Sequence, residues 1–108
     1  MATPELTPTG NQGEKVSAWV AAPGSSHVAG FKFYDRGESE FGASSEIWIM
    51  FKASGKSHKP APIYSYKFSV HDTARQIWAD LCGSAHPGEV IDAELKKPRV
   101  PYTGPFYE

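Results

Sequence analysis

The eight residues 63–70 constrain the fold of this chain more than any other stretch, because their pattern predicts a strand that runs directly into a helix. Apolar and polar side chains alternate across the segment, which is typical of a strand with one buried face. The apolar positions are Tyr64, Tyr66, Phe68 and Val70, and the polar positions are Ser65, Lys67 and Ser69. From Val70 to Cys82 the apolar side chains recur at helical spacing instead. The junction predicts a fold that mixes strands and helices.

Three further segments have strand-like patterns. Residues 15–20 alternate weakly, residues 29–34 alternate clearly, and residues 46–52 are apolar on both faces. A strand with two apolar faces normally lies inside its sheet with both faces covered. In so small a domain, another chain is a candidate for covering the face that carries Trp48 and Met50.

Helix signals follow the strand-like segment at residues 63–70 directly. The main helix is predicted from His71 or Asp72 to Cys82, with Asp72 or Ser69 as its N-cap and Gly83 as a left-handed closing residue. A second helix is predicted to begin at Pro87 and to end before Pro98. The fold class is therefore α+β. We expect a small antiparallel sheet of three to four strands, packed on one main helix and a short second helix.

The two ends of the chain have a different composition from the middle. Residues 1–14 are polar and rich in Thr, Pro and Gly, and residues 98–108 contain three prolines with aromatic residues between them. Both compositions favour extended arms around a single domain at residues 15–97. In the C-terminal arm, Tyr102, Phe106 and Tyr107 are predicted to contact a protein partner. An equal alternative for Tyr102 is packing on its own sheet.

The bulk composition limits the class of function. The 108 residues include 11 Lys and Arg and 12 Asp and Glu, for a net charge of −1. This balance argues against a strongly basic nucleic-acid surface. The single cysteine, Cys82, lies on the apolar face of the main helix and is expected to be a buried small hydrophobe. No stretch resembles a signal peptide or a membrane span, so we expect no membrane association.

No catalytic arrangement is visible in the sequence. The four histidines are scattered without ligand spacing, and no glycine-rich loop has the spacing of a phosphate-binding site. We therefore expect no enzymatic activity, no metal, no cofactor and no small-molecule substrate.

The order of several short motifs resembles the KTSC domain, which is named for a C-terminal extension of some lysyl-tRNA synthetases and also occurs alone in bacteria and their phages. The matching segments are Ser25-Ser26, Ile47 to Lys52, Tyr64-Ser65-Tyr66, Ala74 to Leu81, Ser84 to Leu95 and Pro101-Tyr102. The resemblance implies a small α+β domain without known catalysis, and it suggests nucleic-acid binding. The long loop at residues 37–45, the aromatic tail and the lack of net positive charge depart from the family pattern and weaken the suggestion of nucleic-acid binding.

Two hypotheses for the function follow. The first is a structural or interaction protein, such as a phage capsid, decoration or tail-associated subunit, that assembles through protein contacts and its arms. Its predicted contact residues are Trp48, Met50, Tyr102, Phe106 and Tyr107. The alternative is an RNA- or single-stranded-DNA-binding module that stacks bases on Tyr64, Tyr66 or Trp48. Its predicted phosphate contacts are Lys52, Lys56, Lys59 and Lys67. The expected location is the bacterial cytoplasm, or the virion if a phage encodes the protein.

Overall fold

The computed structural model describes residues 4–39, 43–53 and 60–107. The strands are β1 (Thr7–Pro8), β2 (Lys15–Val16), β3 (Val20–Ala21), β4 (Val28–Asp35), β5 (Ser45–Phe51), β6 (Ile63–Phe68) and β7 (Tyr102–Phe106). The helical segments are α1 (His71–Gly83), α2 (Pro87–Ile91) and a π-helical segment (Asp92–Lys96) that continues α2. The predicted α+β class is confirmed, with one main helix and a short second one.

All strands belong to one antiparallel sheet in the order β1-β2-β4-β5-β6-β7, and β3 pairs with β4 beside β2. The three long strands β4, β5 and β6 form its centre, and their register places Phe33 opposite Ile47 and Ile47 opposite Tyr66. The sheet is wider than the three to four strands expected from the sequence. The additional strands are short ones from residues 7–21, together with β7, so each predicted arm contributes a strand to the sheet.

One face of this sheet is covered by the helices. Trp78 of α1 lies edge-on to Phe31 at 5.5 Å between ring centroids and stacks on Phe33 at 5.4 Å. Ile91 of α2 and Leu95 of the π-helical segment are buried in the same core. Burying these large apolar side chains is the main stabilising contribution of the layer. We call the opposite side of the sheet the open face.

The caps of α1 differ from the sequence prediction, although its bounds, His71–Gly83, lie within one residue of the predicted ones. The N-cap residue is Val70, which is 60% exposed, and no side chain caps the helix. Both predicted caps, Asp72 and Ser69, are therefore wrong, and Asp72 instead pairs with Arg75 at 2.9 Å. The predicted left-handed glycine is also wrong, because Gly83 ends α1 without a positive φ. The N-terminus of α1 therefore forms without a side-chain cap, and at its C-terminus the Ser84 N–H donates to the Leu81 carbonyl.

The π-helical segment ends in a tight hydrogen-bonded turn. The Val100 N–H donates to the Leu95 carbonyl at 3.1 Å, and the Arg99 N–H donates to the Lys96 carbonyl at 3.1 Å. These two bonds define a Schellman motif, in which the left-handed residue is usually glycine. Here it is Arg99, with a φ of 57°. The turn directs the chain back to the sheet, where it forms β7.

Candidate interaction surface

The open face carries a row of aromatic rings that crosses the sheet. Tyr34 of β4 lies 5.3 Å from Trp48 of β5, and Trp48 stacks on Phe106 of β7 at 6.0 Å with an interplanar angle of 16°. The strands bring these rings together because alternate residues point to the same face. Trp48 is opposite Lys32 and therefore diagonal to Tyr34, and Phe106 reaches it from the far side of β6. We call these three residues the aromatic row. Phe106 is 43% exposed, so one end of the row is open to contact.

A lysine is placed among the rings of this face. The Nζ of Lys32 lies 5.4 Å from the ring centroid of Trp19, 5.1 Å from that of Tyr34 and 5.5 Å from that of Trp48. Cation–π attraction at such distances favours the charged lysine against the ring faces. Ser17 is buried, and its hydroxyl accepts a hydrogen bond from the backbone of β4. Beyond Ser17 the chain leaves the sheet edge, and Trp19 reaches this position.

A compact cluster of charges lies beside the aromatic row. Glu46 is buried and contacts Arg36, Lys67 at 2.8 Å and the Ser65 hydroxyl. Glu14 accepts a hydrogen bond from Arg36 Nε at 2.6 Å. Burial alone would raise the pKa of Glu14, but hydrogen bonds and the charge of Arg36 hold it below its ordinary value. The cations of this cluster are therefore compensated by buried carboxylates within the chain.

The structure brings three of the five predicted protein-contact residues to one surface. Trp48 and Met50 lie on the open face, and Ile63 pairs with both Met50 and Phe106. Tyr102 pairs with Tyr66 and contacts its ring on the helix side, but it is 57% exposed, so its predicted partner contact stays a prediction. Tyr107 follows β7 and is 50% exposed.

The predicted phosphate contacts Lys52 and Lys67 lie at opposite ends of β5. Lys67 pairs with Glu46 near the beginning of β5, whereas Lys52 follows the end of β5 and its Nζ donates to the Ser25 carbonyl. The length of β5 separates these two cations by about 20 Å. Lys56 and Lys59 lie outside the described residues. Tyr64 and Tyr66 lie on the helix side, as their shared phase with Phe68 indicates.

Several residues of the open face were missed in the sequence. The sequence prediction did not include Trp19, Lys32, Tyr34 and Arg36. In the β4 segment it relied on the apolar residues Phe31 and Phe33. Lys32, Tyr34 and Arg36 occupy every second position, alternating with Phe31 and Phe33, and this alternation indicates that they share the opposite face of the strand. Trp19 had no local signal, since its position depends on the break between β2 and β3.

One serine and one histidine also meet. The Ser45 hydroxyl and His71 Nδ1 are 2.7 Å apart, and the Arg36 N–H donates to the same hydroxyl at 3.0 Å. A nucleophile must reach its substrate, but Ser45 is completely buried. This contact therefore ties the beginning of β5 to the beginning of α1. The other candidate nucleophile, Cys82, is buried, and burial raises its pKa to about 11, so it is an unreactive thiol.

Two features are absent from the described parts of the chain. Residues 4–39, 43–53 and 60–107 contain no group of three or more side chains that could hold a metal ion. Within the same ranges, none of the helices has both the length and the apolar composition needed to cross a membrane.

Comparisons with known proteins add no assignment: no family model, curated protein or solved structure matches this chain. The resemblance to the KTSC domain therefore stays a prediction.

Proposed function

We propose that the protein is a non-catalytic interaction protein that binds another protein chain through the open face of its sheet. The observation that carries this proposal is the aromatic row of Tyr34, Trp48 and Phe106 on the face away from the helices. Aromatic residues, Met and Arg are enriched where protein partners bind most strongly. Met50 and Arg36 lie on the same face and extend that composition.

The charges support a protein partner over a nucleic acid. Arg36 and Lys67 contact Glu14 and Glu46, so these two cations have carboxylate partners before any ligand binds. A nucleic-acid surface needs cations that are available to phosphates. The chain as a whole has a net charge of −1. A structural subunit of a phage particle is one kind of protein that would use such a face against its neighbours.

One observation favours the alternative of single-stranded nucleic-acid binding. Stacked rings with an adjacent lysine, as in the arrangement of Trp48, Phe106 and Lys32, are also the elements of a base-stacking platform. In this alternative the aromatic row would hold bases and Lys32 would contact a phosphate.

The proposal is tested by placing a photo-crosslinking phenylalanine analogue at Phe106 in the full chain. The matched control carries the analogue at Val70, which is an exposed apolar residue at the beginning of α1. We expect the probe at position 106 to give one discrete protein adduct, identified by mass spectrometry, and the probe at 70 to give none. No adduct at either position, or the same mixture at both, would contradict the proposal.

Titration with single-stranded DNA and RNA distinguishes the alternative. Binding that weakens with salt and that is lost in Phe106→Ala but kept in Val70→Ala would support nucleic-acid binding. In that case a nucleic acid, and not a protein, would be the partner of the open face.

A further inference from the structure

A groove with a volume of about 810 Å³ lies on the helix side of the sheet, away from the open face. It is bounded by β6, β7 and the turn that follows the π-helical segment. Its walls and floor are formed mainly by Phe51, Tyr64, Tyr66, Leu95, Val100 and Tyr102. The volume lies within the range of sites that bind small molecules.

The rings of this groove form a continuous concave wall. Phe51 meets Tyr64 edge-on at 5.6 Å, and Tyr64 meets Tyr102 edge-on at 5.6 Å. The ring centroids of Tyr66 and Tyr102 are 5.4 Å apart. Edge-to-face rings at these separations touch each other, so together they form one aromatic surface that suits contact with a flat aromatic ligand.

Two cations and no carboxylates are found among the described residues that line the groove. The Nζ of Lys96 lies 5.1 Å from the ring centroid of Phe51 and 3.5 Å from the exposed carboxylate of Asp92, outside the groove, and Arg99 also lines the groove. The groove lining is therefore mainly apolar, with Arg99 as the cation that has no carboxylate beside it in the lining. This charge distribution is complementary to a ligand with a ring and an acid group.

The backbone at Arg99 is a second, independent observation. Its φ of 57° lies in the left-handed region, at the position of the Schellman motif where glycine has the lowest cost. A long charged side chain at this position costs stability without filling the core, since Arg99 is exposed. Strain of this kind is concentrated at sites of function.

We propose that the groove binds a small aromatic carboxylate, with its ring against Tyr64 and Tyr102 and its carboxylate at Arg99, beside Lys96. This site is separate from the open face, so the inference does not depend on the proposed protein partner. The sequence contained no signal for it, because its residues come from segments far apart in the chain and meet only in the fold.

The test uses 2-naphthoate and the neutral 2-naphthamide as probes of the ¹⁵N-labelled full chain in NMR titrations. We expect saturable shifts for 2-naphthoate at Tyr64, Leu95, Arg99 and Tyr102, with the Trp48 indole N–H unaffected. Removing the probe's charge should weaken binding about fivefold, the scale of a partly exposed ion pair. Shifts that do not saturate, that centre on Trp48, or that are equally strong for the amide would overturn the proposal.

Two variants assign the role of the guanidinium. Arg99→Gly should raise the melting temperature, because glycine tolerates the left-handed backbone, and should weaken 2-naphthoate binding about fivefold. Lys97→Gln, the exposed neighbour outside the groove, should leave binding unchanged. An equal loss in both variants would show only nonspecific attraction of the anion and would reject the site.

Discussion

At the scale of single residues, Glu46 connects three side chains beside the aromatic row. Its side chain is buried, yet it contacts Arg36, Lys67 and the Ser65 hydroxyl. A buried charge is tolerated when partners and hydrogen bonds replace its water. This cluster thus allows polar side chains to lie beside the aromatic row without leaving a charge unpaired.

The substitution Glu46→Gln tests this cluster. It keeps the shape of the side chain but leaves Arg36 and Lys67 without its charge, and we expect a loss of about 2 kcal/mol in the free energy of unfolding. Urea denaturation measures the loss. The control is Asp92→Asn in the exposed pair with Lys96, which should cost less than about 0.5 kcal/mol. Equal effects in both variants would show that burial does not strengthen the cluster.

At the scale of elements, β7 determines how the C-terminal segment contributes to both candidate surfaces. Phe106 points to the open face and stacks on Trp48, whereas Tyr102 points to the groove and contacts Tyr66. The two ends of the strand thus serve opposite faces. Its register shifts between Ile63 and Ser65 of the partner strand, where Gly104 approaches closely.

Gly104→Ala is predicted to detach this strand. A Cβ at Gly104 would lie 2.7 Å from the Ile63 carbonyl oxygen, and the φ of +135° is rarely adopted by other residues. We expect a loss of roughly 1–3 kcal/mol and loss of the nuclear Overhauser contacts between Phe106 and Trp48. Gly24→Ala is the control, because a Cβ there meets nothing within 4 Å. If both variants keep wild-type stability and contacts, the close approach at Gly104 is unimportant.

At the scale of the whole molecule, two carboxylates that both neighbour α1 have pKa values shifted in opposite directions. Burial alone would raise the pKa of Asp35, but hydrogen bonds from Arg75 and the Gly37 N–H and nearby positive charge hold it below 3.8. Burial and the neighbouring Asp80 raise the pKa of Glu94 above 4.5. The stability of the fold therefore depends on which group titrates in a given pH range.

Asp80→Asn should raise the melting temperature at pH 7. The pKa of Glu94 is higher in the folded state, so its favourable contribution is complete below pH 4.5 and is lost as the pH rises through the folded value. Removing the Asp80 charge relieves the repulsion that remains at neutral pH, and we expect a gain of roughly 1–3 °C. Thermal unfolding at pH 7 and pH 4 measures the effect, which should shrink at pH 4. A larger gain in melting temperature at pH 4 than at pH 7 would contradict the predicted direction of the pH dependence.

The effect of Asp35→Asn on stability should have the opposite dependence on pH. Because the pKa of Asp35 is lower in the folded state, its contribution is present above pH 3.8 and is lost as the pH falls through the folded value. We expect the variant to lose roughly 1 kcal/mol at pH 7 and to show a shallower decrease in stability between pH 5 and pH 3. Urea denaturation across this range measures both. A wild-type slope in the variant would rule out this contribution.

Much of the fold could be predicted from local patterns, because periodicity reports which side of an element is buried. The alternation at residues 63–68 and the helical spacing from Ala74 to Cys82 correspond to β6 and α1, and the buried Ile47 and Ile49 lie in central β5. The caps of α1 were predicted less well than its bounds, since α1 begins at the predicted His71 but without a capping side chain. Packing of its apolar face compensates for the missing cap.

Local sequence patterns were sufficient to predict the class of the fold, its long elements and the two apolar faces of β5. The contacts of Trp48 with Tyr34 and Phe106, and the packing of Tyr102 beside Tyr66 on the other face, follow only from the folded arrangement. The physical reason is that periodicity is a local property, whereas these contacts depend on strand order and register between distant segments. The arms that looked unsuited to burial alone become strands because a preformed sheet edge supplies their hydrogen bonds.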